Sequence, residues 1–327
     1  MTAISRRSFV IGLPMLLSMS LPSSRSWAQQ YPQRPIRVIV PYAAGGASDI
    51  IARLVAAGMG QDIGQSLFVD NRGGGASMIG TKAIATAEPD GYTVGVVDSA
   101  FTINPGLFGS RLTYDTKRDF APVSLLAKTS LVLVVPAALP ANSVQELIAL
   151  AKRKPGSMTM ATAGLGTAVH LCCEQFRQEA GVEVTTVPYR GGGPSIIDLI
   201  GGKVDFTFST IPAVLEHIRA AKLKALGITT GPVGQLPGVP GMAEAGLPKV
   251  DAAPDFGMVA PANVPAPVIE RLSSVAQAVV TSDAMRQRLE QIGYQPVGST
   301  PQAYAAHIDT AIEKWRRIIV AGNIKPE

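Results

Sequence analysis

Short apolar segments alternate with amphipathic segments along most of the chain. The apolar segments are rich in Val and Ile, as in strands of a sheet that is covered on both faces. The segments between them carry apolar residues at helical spacing, which predicts helices with one buried face. This alternation is typical of an α/β fold in which mostly parallel sheets are flanked by helices.

The pattern defines the expected elements along the chain. It predicts strands near residues 36–41, 66–70, 92–97, 131–135, 157–161, 183–187, 204–208, 223–228 and 256–259. It predicts helices over residues 48–62, 76–86, 143–153, 167–180, 194–201, 211–220, 265–281, 283–292 and 301–322. Each half of the chain therefore has enough strands for a sheet of its own.

Two extended segments predict crossings between these halves. Val123 to Pro136 leads out of the first group of elements, and Phe256 to Pro261 leads back. We therefore expect a discontinuous first domain of residues 29–128 and 257–327, and a second domain of residues 129–256. The C-terminal helices should pack on the first domain. A cleft between two such lobes is a common place for a small ligand.

The N-terminus reads as an export signal rather than as part of the fold. Arg6 and Arg7 precede an apolar stretch from Val10 to Leu21, and Ser26-Trp27-Ala28 offers small residues at the positions that a signal peptidase reads. The paired arginines match the twin-arginine pattern, although Sec signals can also carry two arginines. No cysteine follows the expected cleavage site, so we expect no lipid anchor there. The prediction is a protein free in the periplasm after removal of residues 1–28.

Charge and residue usage exclude several function classes. The formal charge of +5 falls to +2 without residues 1–28, which contain three arginines and no acid. The remaining basic residues are dispersed, which argues against a nucleic-acid partner. The three histidines are not in ligand spacing with Cys172 and Cys173, so we predict no metal site and no cofactor. Adjacent cysteines rarely form a disulfide, because that bond would distort the backbone.

The first predicted strand leads directly into a glycine-rich junction. Gly45 and Gly46 let the backbone approach a ligand, and Ser48 or Asp49 can cap the following helix. The first amides of a helix have no partner inside it, and the helix dipole makes that end partly positive. A carboxylate or phosphate would suit such a position. The alternative is an ordinary turn between a strand and a helix.

Similar junctions recur later in the chain. Gly164 to Thr167 leads from a predicted strand into the helix that carries His170, and Tyr189 to Gly193 leads into another helix. The segment from Asp98 to Thr102 follows a third strand and is rich in short hydroxyl side chains, Ser99 among them. These junctions are candidate walls of a binding site.

Enzyme motifs are incomplete in the same segments. Ser48 lies in Gly46-Ala47-Ser48-Asp49-Ile50, which lacks the second glycine of a nucleophile elbow. The segment from Gly164 to Val169 matches two of the three glycines of a dinucleotide-binding turn, because Val169 replaces the last one. We therefore predict no catalytic residues and do not expect an enzyme.

Several candidate side chains have two interpretations. His170 could donate to a ligand oxygen or make a structural hydrogen bond. Arg190 could pair with a ligand carboxylate or with Asp198 or Asp205 at the surface. Asp49 and Asp205 lie beside expected anion sites, where an acid can accept from a ligand hydroxyl, hold water or cap backbone amides.

Ordered sequence blocks over the whole mature chain resemble one family. The blocks are Pro35 to Tyr42, Gly45 to Asp49, Asp70-Asn71-Arg72, Pro89 to Thr93, Ile103-Asn104-Pro105, Gly164 to Thr167, Val187 to Pro194, Gly201 to Asp205 and Lys314-Trp315. Together they resemble the Bug family, also called TctC, the periplasmic solute-binding proteins of tripartite tricarboxylate transporters. Each block alone is unspecific, but their order is specific.

The resemblance implies a two-lobed Venus-flytrap receptor that binds a small organic carboxylate. It implies delivery of that ligand to the large and small membrane subunits of a transporter, and we expect a monomer. In the family, backbone amides, hydroxyls and water hold the carboxylate. Combined with the junctions above, the expected ligand-binding residues are Tyr42, Ala44, Gly45, Gly46, Ser48, Asp49, Asp98, Ser99, Gly164, Gly166, Thr167, His170, Tyr189, Arg190, Gly191, Gly192 and Asp205.

Two positions depart from the family pattern. Ala44 stands where the family usually has proline, and Asp98 stands in a wall that is usually neutral. If Asp98 faces the cleft, the ligand should carry a cationic or hydroxyl group opposite its carboxylate; alternatively, Asp98 caps a turn. A sensing subunit for a signalling partner, or an exported α/β enzyme, are the alternative functions.

Overall fold

The computed structural model describes residues 31–325, and the predicted export signal at residues 1–28 lies outside this range. The strands are β1 (Ile36–Val40), β2 (Leu67–Asn71), β3 (Thr93–Asp98), β4 (Phe120–Thr129), β5 (Leu131–Pro136), β6 (Thr159–Thr162), β7 (Thr185–Pro188), β8 (Phe206–Thr210), β9 (Leu223–Ile228), β10 (Asp255–Pro261) and β11 (Tyr294–Pro296). The helices are α1 (Ala47–Ile63), α2 (Met78–Ala85), α3 (Ala100–Phe108), α4 (Val144–Arg153), α5 (Ala168–Ala180), α6 (Gly192–Ile200), α7 (Ile211–Arg219), α8 (Ala266–Thr281), α9 (Asp283–Gln291) and α10 (Pro301–Ala321). None of the helices in this range is long and apolar enough to cross a membrane.

The strands form two separate sheets. The first sheet has the order β11-β4-β10-β3-β1-β2, and the second has the order β7-β6-β8-β5-β9. Helices flank both sheets, so the predicted α/β architecture of two lobes is confirmed. The sheets themselves are mixed: β1 pairs in parallel with β2 and β3, and β6 with β7 and β8, but the crossing strands β4, β5 and β10 pair antiparallel. The chain leaves lobe 1 along β4, which runs in the same direction as β3, and it enters each lobe along a strand, β5 or β10, that runs against the strands of the βα units.

Two strands connect the lobes, as the extended segments predicted. Strand β4 of the first sheet continues through Ser130 into β5 of the second sheet. Strand β10 returns the chain to the first sheet, where it pairs with β3 and β4. The expected crossing from residue 123 therefore contains two consecutive strands of different sheets, because the apolar run is long enough to serve both lobes.

The last helix belongs to both lobes. Tyr304 and Ile308, in the first half of α10, pack in a core of the first lobe with Phe101 and Phe120. Trp315 and Ile319, in its second half, pack in a core that contains Ile103 and Leu107 of α3 as well as residues of the second lobe. The expectation that the C-terminal helices pack on the first domain agrees with the position of α8 and α9, whereas α10 packs on both lobes. Helical periodicity predicts which face of a helix is buried, but it does not predict which lobe that face packs against.

Helix α3 was not predicted, because Pro105 lies inside it. Proline has no N–H, so the helical hydrogen bond from residue 105 to the carbonyl of Phe101 is missing. The hydroxyl of Thr116 donates to that carbonyl at 3.1 Å instead. This long-range hydrogen bond satisfies the carbonyl and keeps the helix intact.

Candidate ligand-binding site

The carboxyl ends of β1 and β3 face those of β6 and β8 across the cleft. Between them lies a cavity of about 40 Å³. It is lined by Tyr42, Gly46, Ala47, Ser48, Asp98, Ala163, Thr167, Ala168, Val169, Gly192, Ser195, Phe208, Ser209, Thr210, Pro254 and Phe256. Three helix starts contribute to this lining, those of α1, α5 and α6. Ligands of open α/β sheets usually bind at this edge of the strands.

The β1–α1 junction supplies backbone donors. Gly46 occupies the N-cap position with an extended backbone, and its carbonyl accepts from the amides of Asp49 and Ile50. Ala47 and Ser48, the first two residues of α1, line the cavity. Amides at this position have no acceptor within the helix, so they can donate to a ligand oxygen.

Asp49 stabilises this junction through hydrogen bonds and does not line the cavity. Its carboxylate accepts from the amide of Gly45 at 3.0 Å, from Arg53 at 3.0 Å and from Asn71 at 3.0 Å. Burial alone would raise the pKa of Asp49, but the hydrogen bonds from Arg53, Gly45 and Asn71 hold it below its usual range. Asp49 is therefore an ionised, fully bonded group that fixes the loop.

The second lobe presents neutral groups to the cavity. The hydroxyl of Thr167 caps α5 by accepting from the amide of His170, and it donates to the carbonyl of Gly164 at 2.8 Å. Gly192 and Ser195 come from the first turn of α6. Hydroxyls and helix-start amides can bind an anion without a basic side chain. Within residues 31–325, no Lys, Arg or His side chain lines the cavity.

The lobes contact each other beside the cavity through backbone. The amide of Ala43 donates to the carbonyl of Arg190 at 3.1 Å. A Cβ atom at Gly193 would lie 2.3 Å from the carbonyl oxygen of Ala44, and one at Gly191 would lie 3.3 Å from the amide nitrogen of Ala43. Ala44, Gly45 and Gly191 thus lie at a lobe contact, where small residues are needed for the approach.

A second lobe contact involves Gly166 and Asn104. A Cβ atom at Gly166 would lie 2.2 Å from the side-chain oxygen of Asn104, and the backbone of Gly166 has φ +71°. The amide group of Asn104 donates to the carbonyl of Ala76 at 2.9 Å. The predicted site residue Gly166 therefore contacts the other lobe, not the cavity lining.

Asp98 lies at the cavity and also caps a turn, so the two interpretations of this residue hold together. Its Oδ1 accepts from the hydroxyl of Tyr42 at 2.7 Å and from the amide of Ala100 at 2.9 Å. Burial raises the pKa of Asp98 to about 6, and the hydrogen bond from Tyr42 opposes part of that rise. It is the one carboxylate among the described residues that line the cavity.

An outer groove of about 390 Å³ adjoins the cavity. Tyr42, Ala163 and Thr167 line both spaces. Three further predicted residues line the groove alone: Gly164, Tyr189 and Arg190. The hydroxyl of Tyr189 donates to Asp198 at 2.9 Å, so its ring is fixed at the groove wall. Arg190 can therefore reach only the part of a ligand that extends beyond the cavity.

Besides Ala44, Gly45, Asp49, Gly166 and Gly191, three further predicted residues line neither the cavity nor the outer groove: Ser99, His170 and Asp205. Ser99 donates to Asp255 at 2.7 Å, and Asp255 also pairs with His307. The Nδ1 atom of His170 lies 3.4 Å from the amide of Gly166, within the α5 junction. Asp205 accepts from the amide and hydroxyl of Thr159, at the amino end of β6. Asp205 precedes its strand, so it lies at the opposite edge of the sheet from the cavity.

Other lining residues were missed by sequence reasoning. Ser209 and Thr210 are the last residues of β8 and line the cavity. So do three apolar residues of β8 and of the segment at the start of β10: Phe208, Pro254 and Phe256. The segment from Gly73 to Ser77 lines the outer groove. Both groups of residues lie in or next to predicted strands, so the sequence indicated their general position. It did not indicate which other strand ends lie beside them. Within residues 31–325, no group of three His, Cys, Asp or Glu side chains could hold a metal ion.

Comparison with known sequences identifies relatives over nearly the full chain. A family model described as "Tripartite tricarboxylate transporter family receptor" (TctC) matches residues 51–324. A UPF0065 protein from the tcbD-tcbE intergenic region of Pseudomonas sp. strain P51 is 36% identical over 97% of this chain and 94% of its own length. Protein BugT of Bordetella pertussis is 36% identical over 89% of this chain and 90% of its own length.

Solved structures agree with these relatives. The periplasmic binding protein BugD has a TM-score of 0.88 at 30% identity, covering 91% of this chain and 100% of its own. Rpa4515 of R. palustris with adipate has a TM-score of 0.87 at 32% identity, covering 91% and 100%. MatC of Rhodopseudomonas palustris with bound malate has a TM-score of 0.83 at 28% identity, covering 88% and 100%.

Proposed function

This chain belongs to the TctC family of tripartite tricarboxylate transporter receptors, and we propose that it captures a small organic carboxylate between its lobes. The observation that carries the proposal is the cavity lined by the starts of α1, α5 and α6 and by five serine and threonine hydroxyls. Those hydroxyls belong to Ser48, Thr167, Ser195, Ser209 and Thr210. Such a lining favours an anion of modest size.

The relatives support the chemical class of the ligand. Rpa4515 has been described with adipate and MatC with malate, and both are similar to this chain over their full length. Adipate and malate are carboxylates. We infer that a carboxylate group of the ligand lies at the β1–α1 junction, against the amides of Ala47 and Ser48.

Binding and delivery would follow the behaviour of a two-lobed receptor. Lobe 1 would comprise residues 29–128 and 257–327, and lobe 2 residues 129–256. A ligand that contacts both lobes binds the closed form better than the open form, and it thereby shifts the population toward closure. The closed protein would then be recognised by the two membrane subunits of a transporter. We propose a periplasmic location, a monomer and no catalytic step.

The test is thermal unfolding of the mature protein with a panel of mono-, di- and tricarboxylates, aromatic acids and amino acids. A ligand at 100 times its dissociation constant should add about 2.7 kcal/mol to the free energy of unfolding. At least one acid should raise the melting temperature in a saturable way. If no acid of the panel changes the melting temperature, the proposed function is wrong.

A further inference from the structure

Asp98 gives the cavity an acidic group where the rest of the lining favours an anion. Its side chain is held in place by Tyr42 and Ala100, so it cannot turn away without losing two hydrogen bonds. No lysine, arginine or histidine among the described residues lines the cavity to neutralise it. Asp98 is partly buried, and a carboxylate removed in part from water without a cationic partner is less stable than a paired one, so a ligand can supply that partner.

The titratable groups near Asp98 do not supply a positive charge for its carboxylate. The titratable groups that interact electrostatically with Asp98 are Tyr42 from the β1–α1 junction, Tyr114, Tyr304 on α10 and Asp255 on β10. Asp255 is a second acid, so it repels a negative charge on Asp98, although His307 pairs with its other oxygen. None of these groups offers Asp98 a positive charge directly.

Asp49, unlike Asp98, has a cationic partner within the described part of the chain. Asp49 has Arg53 four residues later on the same helix, with 2.9 Å between a guanidinium nitrogen and the carboxylate. Helix α3, which begins after Asp98, carries no basic residue in its sequence from Ala100 to Phe108. The cation that Asp98 lacks within the chain can therefore come from the cavity side.

We propose that Asp98 selects ligands that carry an ammonium group beside the carboxylate, so that the preferred ligand is a small amino acid. The proposal rests on the proposed function, since it assumes a carboxylate at the β1–α1 junction. The carboxylate of the ligand would face the helix-start amides, and its ammonium group would donate to Asp98. A ligand hydroxyl can also donate to the Asp98 carboxylate, but only an ammonium group adds the positive charge that this carboxylate lacks within the described part of the chain.

The cavity is much smaller than the outer groove, about 40 Å³ against about 390 Å³. A ligand whose carboxylate and ammonium group share one carbon places both charges in the smaller space. A longer side chain would have to pass Tyr42 into the outer groove, toward Arg190.

The experiment compares acids that share a carbon skeleton. Affinities for L-alanine, L-lactate and propionate, and for L-aspartate, L-malate and succinate, are measured by calorimetry with the mature wild-type protein. In at least one series the amino acid should bind about tenfold or more tightly than its unsubstituted and hydroxy counterparts, which corresponds to about 1.4 kcal/mol. Equal or tighter binding of the unsubstituted or the hydroxy acid in both series overturns the proposal.

The Asp98→Asn variant tests the residue itself. Asparagine can still accept from Tyr42 and Ala100, so the fold should survive, and a melting curve checks this. The preference for the amino acid should fall to less than about threefold, while binding of the unsubstituted acid is retained or improves. An unchanged preference overturns the assignment to Asp98. If Asp98→Asn does not fold, the wild-type comparison still decides the ligand class.

A matched control and the panel above keep the two proposals separate. Asp205→Asn removes an acid that bonds to Thr159 away from the cavity, and it should leave the preference unchanged. A change of preference in Asp205→Asn equal to that in Asp98→Asn would overturn the role of Asp98. Failure of every carboxylate to bind refutes the proposed function, whereas binding without preference for an amino group refutes only the further inference.

Discussion

The two sides of the cavity differ in their chemistry. Lobe 1 contributes Tyr42 and Asp98, which are the ionisable side chains among the described lining residues. It also contains Asp49 and Arg53, which pair and hold the loop between β1 and α1 in place. The loops of lobe 2 contribute alanine, glycine and hydroxyl side chains, as well as the backbone contact at Gly193.

The two lobes therefore have different expected roles. Lobe 1 holds the helix-start amides of Ala47 and Ser48 and also Asp98, the group that can distinguish ligands by charge. Lobe 2 adds neutral donors that can bind any carboxylate once the lobes are in contact. Substitution of Asp98 should therefore change selectivity, whereas substitutions at the other positions below should change affinity for all ligands alike. The predictions below test this contrast.

The largest effect is expected for Asp49→Ala. The substitution leaves Gly45, Arg53 and Asn71 without the carboxylate to which they donate. The free energy of unfolding should fall by about 2–3 kcal/mol at neutral pH, and ligand binding should weaken strongly because the loop is no longer fixed. Urea unfolding and calorimetry measure the two effects.

The control for Asp49→Ala is Asp62→Ala. Asp62 is an exposed acid on the same helix, so its removal changes the net charge equally. Stability of Asp49→Ala equal to that of Asp62→Ala would contradict the supporting role. The low pKa of Asp49 adds a pH test, because its contribution is present at neutral pH and is lost as the pH falls through that lowered pKa.

The next effect concerns the lobe contact at Gly193. A Cβ atom there would lie 2.3 Å from the carbonyl oxygen of Ala44, so Gly193→Ala should hinder closure. Overpacking of this kind typically costs 1–3 kcal/mol, and affinity should fall by about tenfold or more for every ligand. Calorimetry with two different ligands checks that the loss is uniform.

Gly234→Ala is the control for Gly193→Ala. A Cβ atom at Gly234 would meet no other atom within 4 Å, and Gly234 is exposed and lies outside the cavity lining. Its substitution makes the same chemical change without a contact between the lobes. Equal losses of affinity in the two variants would show that closure at Ala44 is not the cause.

A smaller effect is expected for Thr167→Ala in lobe 2. Thr167 caps α5 and lines the cavity, while Ser143 caps α4 and lies outside the cavity lining. Loss of either cap should reduce the free energy of unfolding by about 1 kcal/mol. Only Thr167→Ala should also weaken binding, and by a similar factor for all carboxylates. Selective loss of one ligand would contradict the neutral role of lobe 2.

The smallest effect is the pH dependence that Asp98 confers. With a pKa of about 6, its ionised fraction rises about fourfold between about pH 5.5 and 7.5. An ammonium ligand needs the ionised form, so the affinity for L-alanine should rise about fourfold over this range. Asp98→Asn should abolish the rise, and a fall in wild-type affinity would contradict the pairing.

The unliganded protein should show the opposite trend. A raised pKa means that the folded state binds the proton of Asp98 more tightly than the unfolded state does. The resulting stabilisation is present at low pH and is lost as the pH rises through about 6. The melting temperatures of the wild type and Asp98→Asn, measured without ligand at pH values below and above about 6, show whether only the wild type loses this stabilisation.

Much of the fold was predictable because local patterns are strong in α/β proteins. The strand β1, the helix α1 and the glycine junction between them were predicted to within one or two residues. Helix α3 was missed because its own sequence contains Pro105, and the group that compensates for it, Thr116, lies beyond the helix. A local pattern cannot report a hydrogen bond made by a residue outside it.

The candidate site was predictable to the level of junctions but not of side chains. Gly46, Ser48, Thr167 and Gly192 line the cavity as expected, since they begin helices at the correct edge of each sheet. The sequence also led to Asp205, which lies at the opposite edge. Whether each residue contacts a ligand stays a prediction that the variants above can test.

The sequence by itself determined the α/β alternation, the crossings between lobes and the glycine junctions, because helical and strand periodicities are local properties of the chain. Only the tertiary structure decided which acid lies at the cavity. Arg53 lies four residues after Asp49 on α1, so that ion pair is local, but Asn71 joins it from β2. Asp98, the last residue of β3, lies at the cavity beside Tyr42. Contacts between distant segments are set by packing, which a local pattern does not report.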